Sequence, residues 1–124
     1  MQPAPSSQPE PTSSDTPAVV WVASTTFPSR DRAEHVAKLA IDQGLAACAQ
    51  VGQPISSVYR WQGEVHHDTE VPLVFKTTQA ALAPLAHLVH HHHPYDVPQW
   101  LAWPTDPMGA YPQYAQWCQE QTLL

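Results

Sequence analysis

The stretch from Val19 to Gly44 constrains the fold of this chain more than any other. Val19-Val20-Trp21-Val22-Ala23 is a short continuous apolar run followed by Ser24-Thr25-Thr26, the pattern of a buried central strand. Pro28-Ser29 then opens a helix, with Ser29 as N-cap and Asp31 placing negative charge in the first turn. Ala33, Val36, Ala37, Ala40 and Ile41 recur at the spacing of one helical face, and Gly44 stops the helix because glycine accepts a left-handed backbone. A buried strand that feeds an amphipathic helix is half of a β-α-β unit, so the remaining chain has to supply the sheet around it.

It does so in a recognisable order. Residues 45–61 read as one long strand or a broken pair, bent at Gly52 and Pro54, with Ile55, Val58, Tyr59 and Trp61 as apolar content. Gln62-Gly63 reads as a two-residue hairpin turn. The next strand runs from about Glu64 to Thr77, where Val71, Leu73 and Phe75 alternate with Pro72 and Val74. Pro72 cannot donate to a ladder, which requires an edge or a bulge there. A second helix covers about 80–92 with the stripe Leu82, Leu85, Ala86 and Val89; Pro84 falls in its first turn and Pro94 ends it. A strand from Val97 to Trp103 and a C-terminal helix over about 108–122 complete the chain. This is the split βαβ, or ferredoxin-like, α+β arrangement: two helices on one face of a four-stranded antiparallel sheet, plus a terminal helix. Residues 1–17, rich in Pro and Ser without a large apolar side chain after Met1, read as a disordered tail, leaving 18–124 as the folded domain.

Composition narrows the function classes. A hydrophobic fraction of 43% supports a core for one domain of this length, while only 13% charged residues is low for a fully solvated surface. Either the surface is polar but uncharged, or part of it is buried against other subunits. A formal charge of −6 with only five Lys and Arg argues against nucleic acid as a partner. No apolar window is long enough to span a membrane and the start lacks the pattern of a secretion signal, so a cytoplasmic location is expected. Eight histidines make the net charge sensitive to pH between about 5 and 7. Cys48 and Cys118 form no CxxC motif, and Cys48 in its apolar run reads as a small buried thiol. With four glycines and no phosphate-cradling loop, no paired carboxylates and no activated nucleophile, the chain does not read as an enzyme.

Several short segments then stand together in register: Thr25-Thr26-Phe27-Pro28; Leu45-Ala46-Ala47-Cys48; Ser57-Val58-Tyr59-Arg60-Trp61-Gln62-Gly63; Glu70 through Lys76-Thr77-Thr78; His93-Pro94-Tyr95-Asp96-Val97-Pro98; and Tyr114 with Trp117. In order and spacing, over about residues 19–118, they resemble the divalent-cation-tolerance (CutA) family. The resemblance implies a fold similar to the nitrogen-regulatory PII proteins. It also implies a homotrimer in which the hairpin strands, about 53–77 here, pair across subunits, and an association with copper tolerance and divalent-metal binding. An alternative function of the same class is a PII-like signalling trimer that binds a small anionic metabolite or a protein partner between subunits.

The candidate site residues follow from both lines. His90-His91-His92-His93 ends the second helix, and His87 shares a helical face with His91; imidazole suits Cu(II), Ni(II) and Zn. By position the family's proposed copper ligands fall on His92, His93 and Thr25, where Thr25 stands in place of a cysteine. A hydroxyl is a poor ligand for soft Cu(I), so an imidazole site for Cu(II) or another divalent metal is the form implied. The structural alternative is a helix C-terminus whose histidines complement the dipole and bond its free carbonyls. His66-His67-Asp68 reads as a solvated ribbon end, since neighbours on a strand point to opposite faces. Arg60, Trp61, Glu70, Lys76 and Tyr95 match the family pattern as lining of an intersubunit cleft or as interface anchors. Gln99 stands where many relatives carry a Glu, which removes a charge from that spot.

Overall fold

A computed structural model describes residues 17–124. The tail expected over residues 1–17 lies, apart from Pro17, outside the described residues. The elements are β1 (Trp21–Phe27), α1 (Arg30–Asp42), β2 (Cys48–Val51), β3 (Ile55–Trp61), β4 (Glu64–Thr77), a 3₁₀ turn (Gln79–Ala81), α2 (Leu82–His92), β5 (Leu101–Pro104) and α3 (Pro112–Gln121). The strands are antiparallel in the order β2-β4-β1-β5, and β3 continues alongside β4. The two crossovers carry α1 and α2, which gives the split βαβ order expected from the sequence.

The β1–α1 unit forms for the reasons its residues suggest. The Ser29 hydroxyl accepts from the Arg32 N–H at 3.3 Å, capping the helix. At the other end the Gly44 N–H donates to the Ile41 carbonyl and the Leu45 N–H to the Ala40 carbonyl, at 3.0 and 2.9 Å. This double closure requires a left-handed residue, and Gly44 has φ +69. A Cβ there would also run into the Leu123 side chain. Ala33, Val36 and Ala40 are buried, whereas Ile41, at the margin of the stripe, is exposed.

Strand register divides the sheet into two faces. Ala23 opposite Phe75 and Ala102, Thr25 opposite Leu73, and Phe27 opposite Val71 point at the helices. There they pack with Val36, Leu85 and Val89. Val22 opposite Lys76 and Trp103, and Ser24 opposite Val74 and Leu101, point the other way, and Leu101 and Trp103 are exposed. α3 closes one end of the sheet around Val20, Ala115 and Cys118. Cys118 is the buried thiol; Cys48, expected to be buried, is only half-buried. Cys48 pairs with Lys76, on the face opposite α1 and α2.

Pro72 resolves into a bulge on the strand opposite. The β1–β4 ladder runs without interruption through Thr26 and Pro72. On the other flank, Val51 pairs with Leu73 but Ile55 pairs with Glu70, so three residues (Gln53 flanked by Gly52 and Pro54) face two on β4. One extra residue breaks the long strand into β2 and β3 where Pro72 offers no donor.

Three boundaries differ from the sequence reading. The last strand starts at Leu101 rather than Val97: the Thr25 hydroxyl donates to the Gln99 carbonyl at 2.7 Å, and Trp100 turns inward toward Phe75. α3 starts at Pro112 rather than about 108, because Asp106 holds a turn through the N–H groups of Met108 and Gly109. α2 proper starts at Leu82, with Pro84 in its first turn as expected.

Candidate functional site

At the root of the β3–β4 hairpin, the ribbon and the loop after α2 enclose an open cleft of about 710 Å³. The pairing that follows the Gln62-Gly63 turn sets Ser57 against Asp68, Tyr59 against His66, and Ile55 against Glu70. Ser57, Tyr59, Trp61, Asp68 and Glu70 thereby line one wall, and Tyr95, Asp96 and Gln99 line the other. Glu70 is buried and its carboxylate accepts from the Thr26 hydroxyl at 3.0 Å. The Tyr59 hydroxyl donates to the Asp68 carboxylate, and that bond pushes the phenol up to about 12. Burial, and then the charges of Glu70 and Asp68, raise Tyr95 as well. Asp68, Glu70 and Asp96 make the cleft acidic, and among the described residues none of its lining side chains is Lys or Arg.

Of the residues singled out in the sequence, the cleft unites Trp61, Glu70, Tyr95 and Gln99. It leaves out the two cations within one subunit. Arg60 alternates to the opposite face of the ribbon and donates to the Gly63 carbonyl at 3.3 Å. Lys76 sits near the other end of β4, bonded to the Gln50 side chain. Sequence reasoning missed Tyr59, Asp68 and Thr26. The signal for the first two was available: alternation on both arms of a two-residue hairpin puts Tyr59, Trp61, Asp68 and Glu70 on one face.

The five histidines of α2 and its C-terminal end fall into two groups. His93 is buried between Phe27 and Tyr95, stacked on Phe27 with ring centroids 4.5 Å apart. Its Nε2 lies 2.6 Å from the Thr26 carbonyl, and its Nδ1 accepts from the Tyr95 N–H at 3.2 Å. Nε2 therefore carries the proton and Nδ1 has spent its lone pair. Burial holds this imidazole below the usual histidine range, against the opposing pull of the Thr26 carbonyl. His90 is likewise engaged, with Nε2 3.2 Å from the Asp96 carbonyl. Neither bonds a carbonyl of its own helix, so the C-terminal capping role is not what these two rings perform. His87, His91 and His92 form the second group; His92 is lowered by burial and by its neighbours His91 and His35.

The set Thr25, His92 and His93 consequently does not fit a metal ion as it stands. Thr25 is fully buried with its hydroxyl proton committed to Gln99, and His93 has no free lone pair. Among the described residues no three His, Cys, Asp or Glu side chains converge on one point. Of the ribbon histidines, His66 stacks on Tyr59 and His67 is exposed.

The molecule is thus an α+β domain with an antiparallel sheet, a projecting ribbon and an acidic, aromatic cleft at the ribbon's root. Comparison with known proteins places it. The family model for the CutA1 divalent ion tolerance protein matches residues 21–121, and the chain belongs to that family. It is 38% identical over 104 residues to the chloroplastic protein CutA of Arabidopsis thaliana, covering 84% of this chain and 54% of that relative. It is 39% identical over 97 residues to the divalent-cation tolerance protein CutA of Thermus thermophilus, covering 78% of this chain and 92% of the relative. The Thermus structure superposes with a TM-score of 0.79, covering 83% of this chain and 98% of that one. A structure described as the PII-like protein CutA from Nostoc, 27% identical, superposes with a TM-score of 0.77 over 84% of this chain and 98% of that one. Among the described residues no helix is long and apolar enough to cross a membrane.

Proposed function

We propose that this chain acts as a homotrimeric, non-enzymatic divalent-ion-binding protein whose β3–β4 ribbons pair across subunits. One observation carries the assembly. From Glu64 to Glu70, β4 has β3 on one flank, whereas its partner on the other flank, β1, ends opposite Val71. The ribbon also exposes Ile55, Val58, Trp61 and Val65. An edge with free N–H and C=O groups beside exposed apolar side chains favours pairing with another chain. The name of the Thermus relative supports divalent ions as the ligand class, with Cu(II) the first to try given the imidazoles. We place the protein in the cytoplasm, although the Arabidopsis relative is named as chloroplastic.

Sedimentation across the low micromolar range tests the assembly: a threefold mass is expected, and a stable folded single subunit overturns it. The PII-like alternative rests on the cleft. Its three carboxylates disfavour an anionic metabolite unless a neighbouring subunit delivers a Lys or Arg to it. A thermal-shift series with nucleotides and carboxylates against amines decides between an anionic and a cationic ligand.

A further inference from the structure

Sorting the histidines by what their ring nitrogens already do isolates a row of imidazoles on the helix layer. His90 and His93 are committed to the Asp96 and Thr26 carbonyls. Among the described residues no hydrogen bond engages the ring nitrogens of His87, His91, His92 or His35. Those four rings form a continuous row. His87 and His91, one turn apart on α2, lie nearly parallel with centroids 6.3 Å apart. His91 and His92 are 5.0 Å apart, and His92 meets His35 of α1 edge-on at 5.5 Å.

We propose that His87 and His91 chelate a divalent, nitrogen-preferring ion on the exposed face of α2, with His92 and His35 as a second imidazole pair beside it. This rests on the reading of the protein as a divalent-ion binder and replaces Thr25, His92 and His93 as the place where the ion sits. Three features support it. Residues four apart on a helix share a face, so both rings reach one point outside the helix. Both side chains are exposed, so their rings can turn to bring nitrogens to bonding distance, roughly 2.0–2.1 Å, with water filling the other positions. The row carries neither carboxylate nor thiolate, which selects Cu(II), Ni(II) or Zn(II) over Mg(II) and Ca(II). The site also lies on the helix layer rather than the ribbon, so trimer formation through the ribbons leaves it open.

The test is calorimetric titration of the tag-free full chain with Cu(II) and separately with Mg(II), with electron paramagnetic resonance of the Cu(II) form. Wild type is expected to bind Cu(II) at micromolar or lower concentration, with nitrogen hyperfine structure, and not Mg(II). His87→Ala/His91→Ala, which places a good helix former at two exposed positions, is expected to lose at least about tenfold in affinity with unchanged circular dichroism. His35→Ala is expected to lose less. Undiminished binding in the His87/His91 variant overturns the site alone, and a loss in His66→Ala/His67→Ala or His92→Ala then shows where the ion sits instead. Failure of wild type to bind Cu(II) below millimolar concentration overturns both the site and the divalent-ion reading.

Discussion

β4 is one strand in two environments, and the contrast between its halves explains most of the molecule. From Val71 to Thr77 it pairs with β1, and from Leu73 to Lys76 with β2 as well, and Val71, Leu73, Phe75 and Thr77 are buried beneath the helices. From Glu64 to Thr69 the same strand has β3 alone beside it, and no residue is buried. The inner half is stabilised by its own chain. The outer half keeps apolar side chains that its own chain does not cover: Val58 is 60% and Val65 55% exposed. A two-stranded ribbon is marginal in isolation, so its persistence as an extension of β4 reflects anchoring at the root. There Glu70 bonds Thr26, and His93, stacked on Phe27, holds the end of β1 to the loop after α2. One half of β4 builds the subunit, and the other leaves its apolar side chains exposed.

The comparison breaks most visibly in the core. Phe75→Ala removes a fully buried ring from the packing against Leu73, Leu85 and Val36. It is expected to cost about 3–5 kcal/mol of subunit stability, read from denaturant midpoints. A cost below about 1 kcal/mol would mean that the inner half is not the foundation described. On the ribbon the expected balance reverses. Val65→Lys sits on an exposed surface and should change the stability of a single subunit by no more than about 0.5 kcal/mol. It should still shift the sedimenting mass downward, because a buried, unpaired charge is costly at a subunit contact. An unchanged mass would show that this part of the ribbon lies outside any interface.

The inner half was also the legible half. An apolar run followed by a capped amphipathic helix carries its own boundaries, because the Ser29 cap and the Gly44 closure are local chemistry. The every-second-residue spacing of Val71, Leu73 and Phe75 likewise announces a covered face. The bulge was half legible: Pro72 signalled a fault, but only the pairing showed that the extra residue lies on the strand opposite. Long-range contacts were not legible. Nothing near Gln99 in sequence announces that its carbonyl accepts the Thr25 hydroxyl and so delays β5. Runs of histidine look equivalent in sequence, yet burial against Phe27 separates His93 from His91, which is exposed. Cys48 was misread for a related reason: its apolar neighbours imply burial, but it occupies the sheet face opposite α1 and α2 and stays only half-buried there.

The smallest effect tests whether the ribbon's cleft face is ordered in solution. Tyr59 is held near 12 chiefly by donating its hydroxyl proton to Asp68, with the charges of Asp68 and Glu70 adding to the shift. Ionising this phenol removes the donor and sets two negative charges together, so the folded chain keeps a proton that an ordinary tyrosine releases near pH 10. The pair therefore contributes stability that is complete below about pH 10 and is lost as pH rises through about 12. Absorbance titration of the tyrosinate band, with Tyr59→Phe subtracted to isolate the residue, is expected to show late ionisation. Asp68→Asn should bring that ionisation down toward the ordinary value, because it removes the charge that resists the phenolate. If Tyr59 ionises near pH 10 in the unaltered protein, the Tyr59–Asp68 bond is absent in solution and the cleft wall is not preformed. Burial against a neighbouring ribbon moves the ionisation later, whereas a Lys or Arg delivered by a neighbouring subunit moves it earlier, so the titration is repeated on Val65→Lys, where an early transition that persists marks the absent bond.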